Sequence, residues 1–273
     1  MKDSIKTEWL FVFLLILSCS RDYPIGPEIG VRFPLSVGNY WMLEREFKVE
    51  FSNSEQWVSQ DSICWKIIDR GNLYGYPSYV LLNESYEDHY SSSSLNWYTD
   101  FWDGNYGLYN IGYSCYGGGL TLKSPKGLTF VFRGRKFSSL QSLFEWIKRP
   151  YTTKGDTILR IPPRKVLEYP LTISKEWVAF GDVWLQVRKV VGKEYIFTPA
   201  GTFSCYKIQV LSDWDDDGVW DEDMEWYDWF GKNGLVKRWM WSKGEYYDEY
   251  GNWAGYYEIT DITVLKKYYL SGM

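Results

Sequence analysis

Histidine is almost missing from this chain: one residue, His89, stands in 273. It sits in a polar stretch with no adjacent nucleophile, so the commonest general base of hydrolases has no partner to activate. The four cysteines form no C-x-x-C pair, which excludes a zinc knuckle and a thioredoxin-like site. No glycine-rich phosphate loop occurs. No basic run occurs either, and the formal net charge is −5, which argues against nucleic acid as a partner. Acidic pairs of the kind glycosidases use are present, but none stands out from the rest. These absences point away from an enzyme.

Long apolar runs are missing too, except at the start. Trp9 to Leu17 is unbroken apolar sequence, preceded by Lys2 and Lys6. Its length suits a signal-peptide core and falls short of a bilayer span. Ile16-Leu17-Ser18-Cys19 then matches a bacterial lipobox, a small residue directly before a cysteine. Residues 1–18 are therefore expected to be a signal peptide and Cys19 the acylated first residue of the mature chain. Acyl chains hold a protein to a membrane at about 0.8 kcal/mol per buried CH₂. Residues 19–30, with Pro24, Gly26, Pro27 and Gly30, read as a tether. The expected location is the cell envelope, with the outer membrane as the expected bilayer.

What is abundant is aromatic: 20% of residues, alongside 24 glycines. Tyr and Trp favour strands and bury large areas, and glycines supply turns. The predicted fold is mainly β: antiparallel strands in a curved sheet, sandwich or half-barrel. Trp41, Leu43, Phe47 and Val49 alternate with polar residues as a half-buried strand does, with Arg45 the exception on the apolar face. Ile63, Trp65 and Ile67 mark a second strand, and Tyr79 to Leu82 a short buried run. Asn83 to Ser94, with four consecutive serines, reads as a mobile loop. One helix is expected over 137–148, where Leu140, Leu143, Phe144 and Ile147 share a face and Ser138 or Ser139 caps the start.

Tyr195 to Leu211 reads as a strand, a Pro199-Ala200-Gly201 turn and a second strand. Here the chain resembles a group of uncharacterised bacterial envelope lipoproteins. The resemblance rests on P-A-G-T-F at 199–203, on Gly234-Leu235-Val236-Lys237, and on an F-P-L-x-x-G-x-x-W opening from Phe33 to Trp41. It implies a secreted β-rich lipoprotein and carries over no catalytic residue. Tyr169-Pro170-Leu171 through Trp177 echoes that opening at an offset of 136 residues, 169 minus 33. Two related halves follow as the domain reading, 31–150 and 151–273.

Three sites are candidates. Asp213, Asp215, Asp217 and Asp221, with the carbonyl of Val219, fit positions 1, 3, 5, 9 and 7 of a calcium loop, with Gly218 at the sharp turn. Met224 stands where such loops carry a bidentate carboxylate. Trp97, Trp102 and Tyr106, in an aromatic stretch from Asn96 to Gly119, are candidates to stack on a glycan, although cross-strand packing explains them as well. Cys64, Cys115 and Cys205 leave an odd number for disulfides, and the pairing stays open. The function expected is a lipid-anchored, non-enzymatic binding or structural module, with an envelope protein or a glycan as partner. The alternatives are a glycan-active protein, or a lipid or lipoprotein carrier with an apolar cavity.

Overall fold

The computed structural model describes residues 30–87, 90–117, 127–143, 157–181 and 184–271. The signal peptide, Cys19 and most of the tether lie outside these residues, as do His89, the side chain of Cys115, residues 144–148 and the boundary near 150.

Strands dominate. They are β1 (Tyr40–Phe51), β2 (Gln56–Leu73), β3 (Tyr76–Glu87), β4 (Tyr90–Trp102), β5 (Asn105–Gly117), β6 (Thr129–Phe132), β7 (Arg135–Phe137), β8 (Thr157–Glu168), β9 (Glu176–Gly181), β10 (Leu185–Thr198), β11 (Gly201–Asp213), β12 (Met224–Gly231), β13 (Gly234–Tyr247) and β14 (Trp253–Tyr269). The antiparallel sheet runs β8-β5-β4-β3-β2-β1-β14-β13-β12-β11-β10-β9, with β6 and β7 appended to β13. Pairing of β1 with β14 joins the two ends of the chain.

The sheet curls until its two edge strands, β8 and β9, meet without a backbone ladder. Side chains stitch them at one end. The Trp177 indole donates to the carbonyl of Lys165 at 3.1 Å, and Arg188 donates to that of Val166 at 3.3 Å. Lys175 pairs with Glu168 at 3.4 Å. The result is a barrel closed almost completely, with a seam at β8 and β9.

The inward face has three layers, and β1 shows why. Its inward residues run Trp41, Leu43, Arg45, Phe47, Val49, Phe51, all buried. Trp41 and Leu43 join an apolar cluster with Phe33, Leu108, Phe230, Leu235 and Leu265. Phe47, Val49 and Phe51 join another with Phe130, Phe132, Leu140 and Tyr257. Arg45 lies between. Strand β14 repeats the order with Leu265, Asp261 and Ile259. A polar belt therefore crosses the barrel between two greasy plugs.

The opening motif and the G-L-V-K motif meet in the first plug. The Trp41 indole donates to the carbonyl of Asn233 at 2.5 Å, and the Phe33 and Trp41 rings lie 5.0 Å apart. Gly234 has φ +101°, and a Cβ there would sit 3.0 Å from the Trp41 indole nitrogen. Only glycine takes that angle without strain. In the P-A-G-T-F hairpin, Gly201 adopts φ +125° and Phe203 turns into the same plug.

One expectation is corrected. Residues 83–87 and 90–94 are strand and not loop, since β3 and β4 pair from Tyr79 with Tyr98 out to Glu87 with Tyr90. Their inward positions are polar because they face the polar belt, so no apolar alternation marks them. The one short helix expected near 137–148 is present; it starts at 140, after Arg135–Phe137 has paired with β6. Ser139 caps it, accepting the Ser142 N–H at 3.0 Å.

Candidate functional site

The belt is built from residues that alternation brings inward on nearly every strand. Asp61 on β2, Arg45 on β1, Asp261 on β14, Arg238 on β13, Asp228 on β12, Arg188 on β10 and Arg164 on β8 follow one another around the wall. Arg45 forks onto Asp261 at 2.9 and 2.6 Å, with Asp61 at 3.7 Å. Burial alone would lower the Arg45 guanidinium, but Asp261 and Asp61 hold it above its usual value.

Asp228 is fully buried and shared by two cations. Arg238 donates to it at 2.7 and 3.1 Å, and Arg188 at 3.2 Å. The Trp226 indole adds a hydrogen bond to Asp228 at 3.0 Å. Burial pushes this carboxyl up, yet the arginines and the indole win and hold it below the usual carboxylate value. Both guanidinium groups approach the Trp226 ring, Arg238 at 5.0 Å and Arg188 at 5.8 Å.

Arg164 is different. Its hydrogen-bond partner is the amide oxygen of Gln186, and no carboxylate pairs with it among the described residues. Its Nε, the Arg188 Nε and the Gln186 Nε2 are buried donors without a partner. Burial, then the neighbouring Arg188 and Arg160, push Arg164 down to about 9. It remains charged at neutral pH. Arg160 lies over the Tyr113 ring at 4.6 Å.

Arg160, Arg164, Arg238 and Asp261 line a cavity of about 1160 Å³; Asn83, Asn96, Arg160, Arg164, Trp226 and Arg238 are shared with a smaller one of about 220 Å³, which Arg188 also lines. Consecutive residues of β8, Ile158 to Lys165, and of β9, Val178 to Gly181, line the larger cavity. Successive strand residues point to opposite faces. The cavity therefore passes through the seam, beyond the stitches that hold β8 to β9. On this side its wall becomes apolar, with Phe180, Met240, and Trp184 stacked on Trp214 at 4.3 Å.

The residues singled out in the sequence lie elsewhere or at its rim. Trp102 lines the cavity from the outer side and packs on Tyr76 at 4.7 Å. Trp97 is tucked beside Tyr109 and Ile111, and Tyr106 is exposed, 5.1 Å from Phe101 with Arg32 over its ring. Trp97 and Trp102 pack against the same cluster of Leu73, Tyr109 and Ile111, while Tyr106 pairs with Phe101. Asp213, Asp215 and Asp217 each bring a carboxylate oxygen within 4.8 Å of the others. Asp213 already accepts the N–H groups of Asp217 and Gly218 at 3.2 and 2.9 Å. Asp221 turns away to Arg133 and to the Trp214 N–H. Cys64 and Cys205 are both free thiols.

The belt arginines were missed because nothing local marks them. The available signal was Arg45, a cation on an otherwise apolar strand face.

Residues 172–259 match the DUF3108-like family. The match contains Arg188, Asp228 and Arg238. No curated protein matches the chain. Two solved structures are similar. A "putative lipoprotein" from Parabacteroides distasonis is 12% identical with a TM-score of 0.34, over 88% of this chain and 99% of that one. A "putative exported protein with YmcC-like fold" from Bacteroides fragilis is 11% identical with a TM-score of 0.32, over the same shares.

Proposed function

We propose that this chain is an exported envelope protein, held to a membrane through acylated Cys19, whose barrel lumen binds a small ligand without transforming it. The observation that carries the reading is the cavity of about 1160 Å³ that opens through the seam onto the half-buried arginines Arg160, Arg164 and Arg238. Ligand sites are concave and oriented by a few convergent polar groups, and this cavity has both properties. A purely structural barrel gains nothing from a charged lumen, since apolar packing there stabilises as well or better. The lipobox and signal core support export and anchoring.

Two measurements test the parts separately. Cys19→Ala is expected to move the protein from the membrane fraction to the soluble fraction of the envelope. If it stays with the membrane, the anchor is elsewhere. Native mass spectrometry of the envelope-extracted protein is expected to show a bound small molecule, absent when Asn96→Trp fills the lumen. Identical spectra for the two proteins would remove the binding reading.

A second reading concerns calcium. The convergence of Asp213, Asp215 and Asp217 favours it, with water completing the shell. Millimolar calcium is then expected to raise the melting temperature, and an unchanged value removes the ion.

A further inference from the structure

Resting on the lumen reading, we propose that the ligand is an anionic amphiphile: a phosphate, sulfate or carboxylate head against Arg164 and Arg160, and an apolar chain running out through the seam past Phe180, Met240 and the Trp184–Trp214 pair. Three observations carry it.

The first is charge. Asp228 and Asp261 answer Arg188, Arg238 and Arg45, while Arg164 has only a neutral amide. A half-buried cation without a counter-charge gives up part of its hydration, a cost that a bound anion would offset. A planar guanidinium matches a tetrahedral or carboxylate anion in paired hydrogen bonds.

The second is the set of donors. The Nε groups of Arg164 and Arg188 and the Nε2 of Gln186 are buried with no acceptor. All belong to side chains grouped around one spot of the wall, where Arg164 meets Gln186 and Arg188 neighbours both. Those atoms lie below the surface of the wall; what faces the cavity is the guanidinium groups of Arg164 and Arg160, which line it and its smaller neighbour and suit an acceptor-only group.

The third is the make-up of the wall. Besides the arginines, the lining carries Ile158 and, across the seam, Val178 and Phe180, with Met240. A free inorganic anion would use the belt and leave this apolar stretch wet. A chain attached to the anion fills it.

The experiment is calorimetric titration of the mature chain, carrying Cys19→Ser so that it is unacylated. The probes are dodecyl phosphate, dodecyl maltoside and dodecyltrimethylammonium, all below their micelle concentrations, and inorganic phosphate. Dodecyl phosphate is expected to bind at least tenfold tighter than each of the others. Arg164→Gln is expected to weaken dodecyl phosphate at least tenfold and to leave dodecyl maltoside unchanged. Arg160→Gln provides the same test through a second residue. Equal binding of the neutral or cationic probe, or no effect of either substitution, overturns the anionic head. Phosphate binding as tightly as dodecyl phosphate overturns the chain. Lumen-filling variants Asn96→Trp and Ile158→Trp separate this inference from the reading beneath it. If the three amphiphiles bind the wild type alike and both variants abolish all three, the lumen binds ligand and only the charge preference falls. If dodecyl phosphate binding survives both, the lumen reading itself falls.

Discussion

The Tyr169 hydroxyl accepts the backbone N–H of Phe33 at 2.8 Å, joining two residues 136 positions apart. These are the aromatic residues that begin the opening motif and its echo. Each motif also ends in a tryptophan whose indole donates to a backbone carbonyl, Trp41 to Asn233 and Trp177 to Lys165. The first bond anchors the plug, and the second holds the seam beside the cavity. Motifs that look like family markers are, physically, the fastenings of the barrel's closed end.

Loosening these fastenings has a definite cost. Tyr169→Phe leaves the buried Phe33 N–H without an acceptor, a loss of roughly 1–3 kcal/mol. Gly234→Ala combines a strained φ with contact on Trp41 and costs at least as much, about 1–3 kcal/mol. Urea midpoints of the two variants should both fall at unchanged slope.

Asp228 is the keystone of the belt. Asp228→Asn leaves Arg188 and Arg238 without their shared counter-ion, and the expected loss is about 3–5 kcal/mol. The pH dependence has a fixed sign. Because Asp228 is held below its ordinary value in the fold, its contribution is complete above the unfolded carboxylate value near 4 and is lost as pH falls through the lower folded value. Melting temperature against pH should drop steeply below about pH 4 in the wild type and less steeply in Asp228→Asn.

Arg164 should behave in the opposite way. Replacing it with Leu removes an unanswered charge, and the unliganded protein should gain on the order of 1 kcal/mol, the cavity's own water having screened part of the original cost. That gain corresponds to about 2–4 °C in melting temperature for a chain of this size. A loss of stability of that size in Arg164→Leu would mean that Arg164 is structural.

The Cys205 thiol is buried and pushed up to about 12, by burial first and by Glu194 second. At pH 8 the thiolate is therefore scarce. Cys205 should resist alkylation in the native state and react on unfolding, which mass mapping of the labelled peptides reads directly.

How far the sequence was legible follows from what its patterns assume. Strand β1 announced itself through Trp41, Leu43, Phe47 and Val49, and the Pro199-Ala200-Gly201 turn through its backbone chemistry. Ser94 and Asn96 did not, because alternation is recognised only when the buried face is apolar, and theirs faces the belt. Strand β8 was hidden by Pro162 and Pro163, which interrupt its pattern between Arg160 and Arg164. The cavity itself belongs to no segment. It arises where strands far apart in sequence close on one another, and only Arg45 hinted at it.

The most direct measurement is a crystal of the mature chain grown with selenate, a tetrahedral dianion that anomalous scattering locates without ambiguity. The account requires a selenium peak inside the lumen, its oxygens about 3 Å from the Arg164 guanidinium. A lumen without selenate, with Arg164 meeting protein side chains alone, would contradict it.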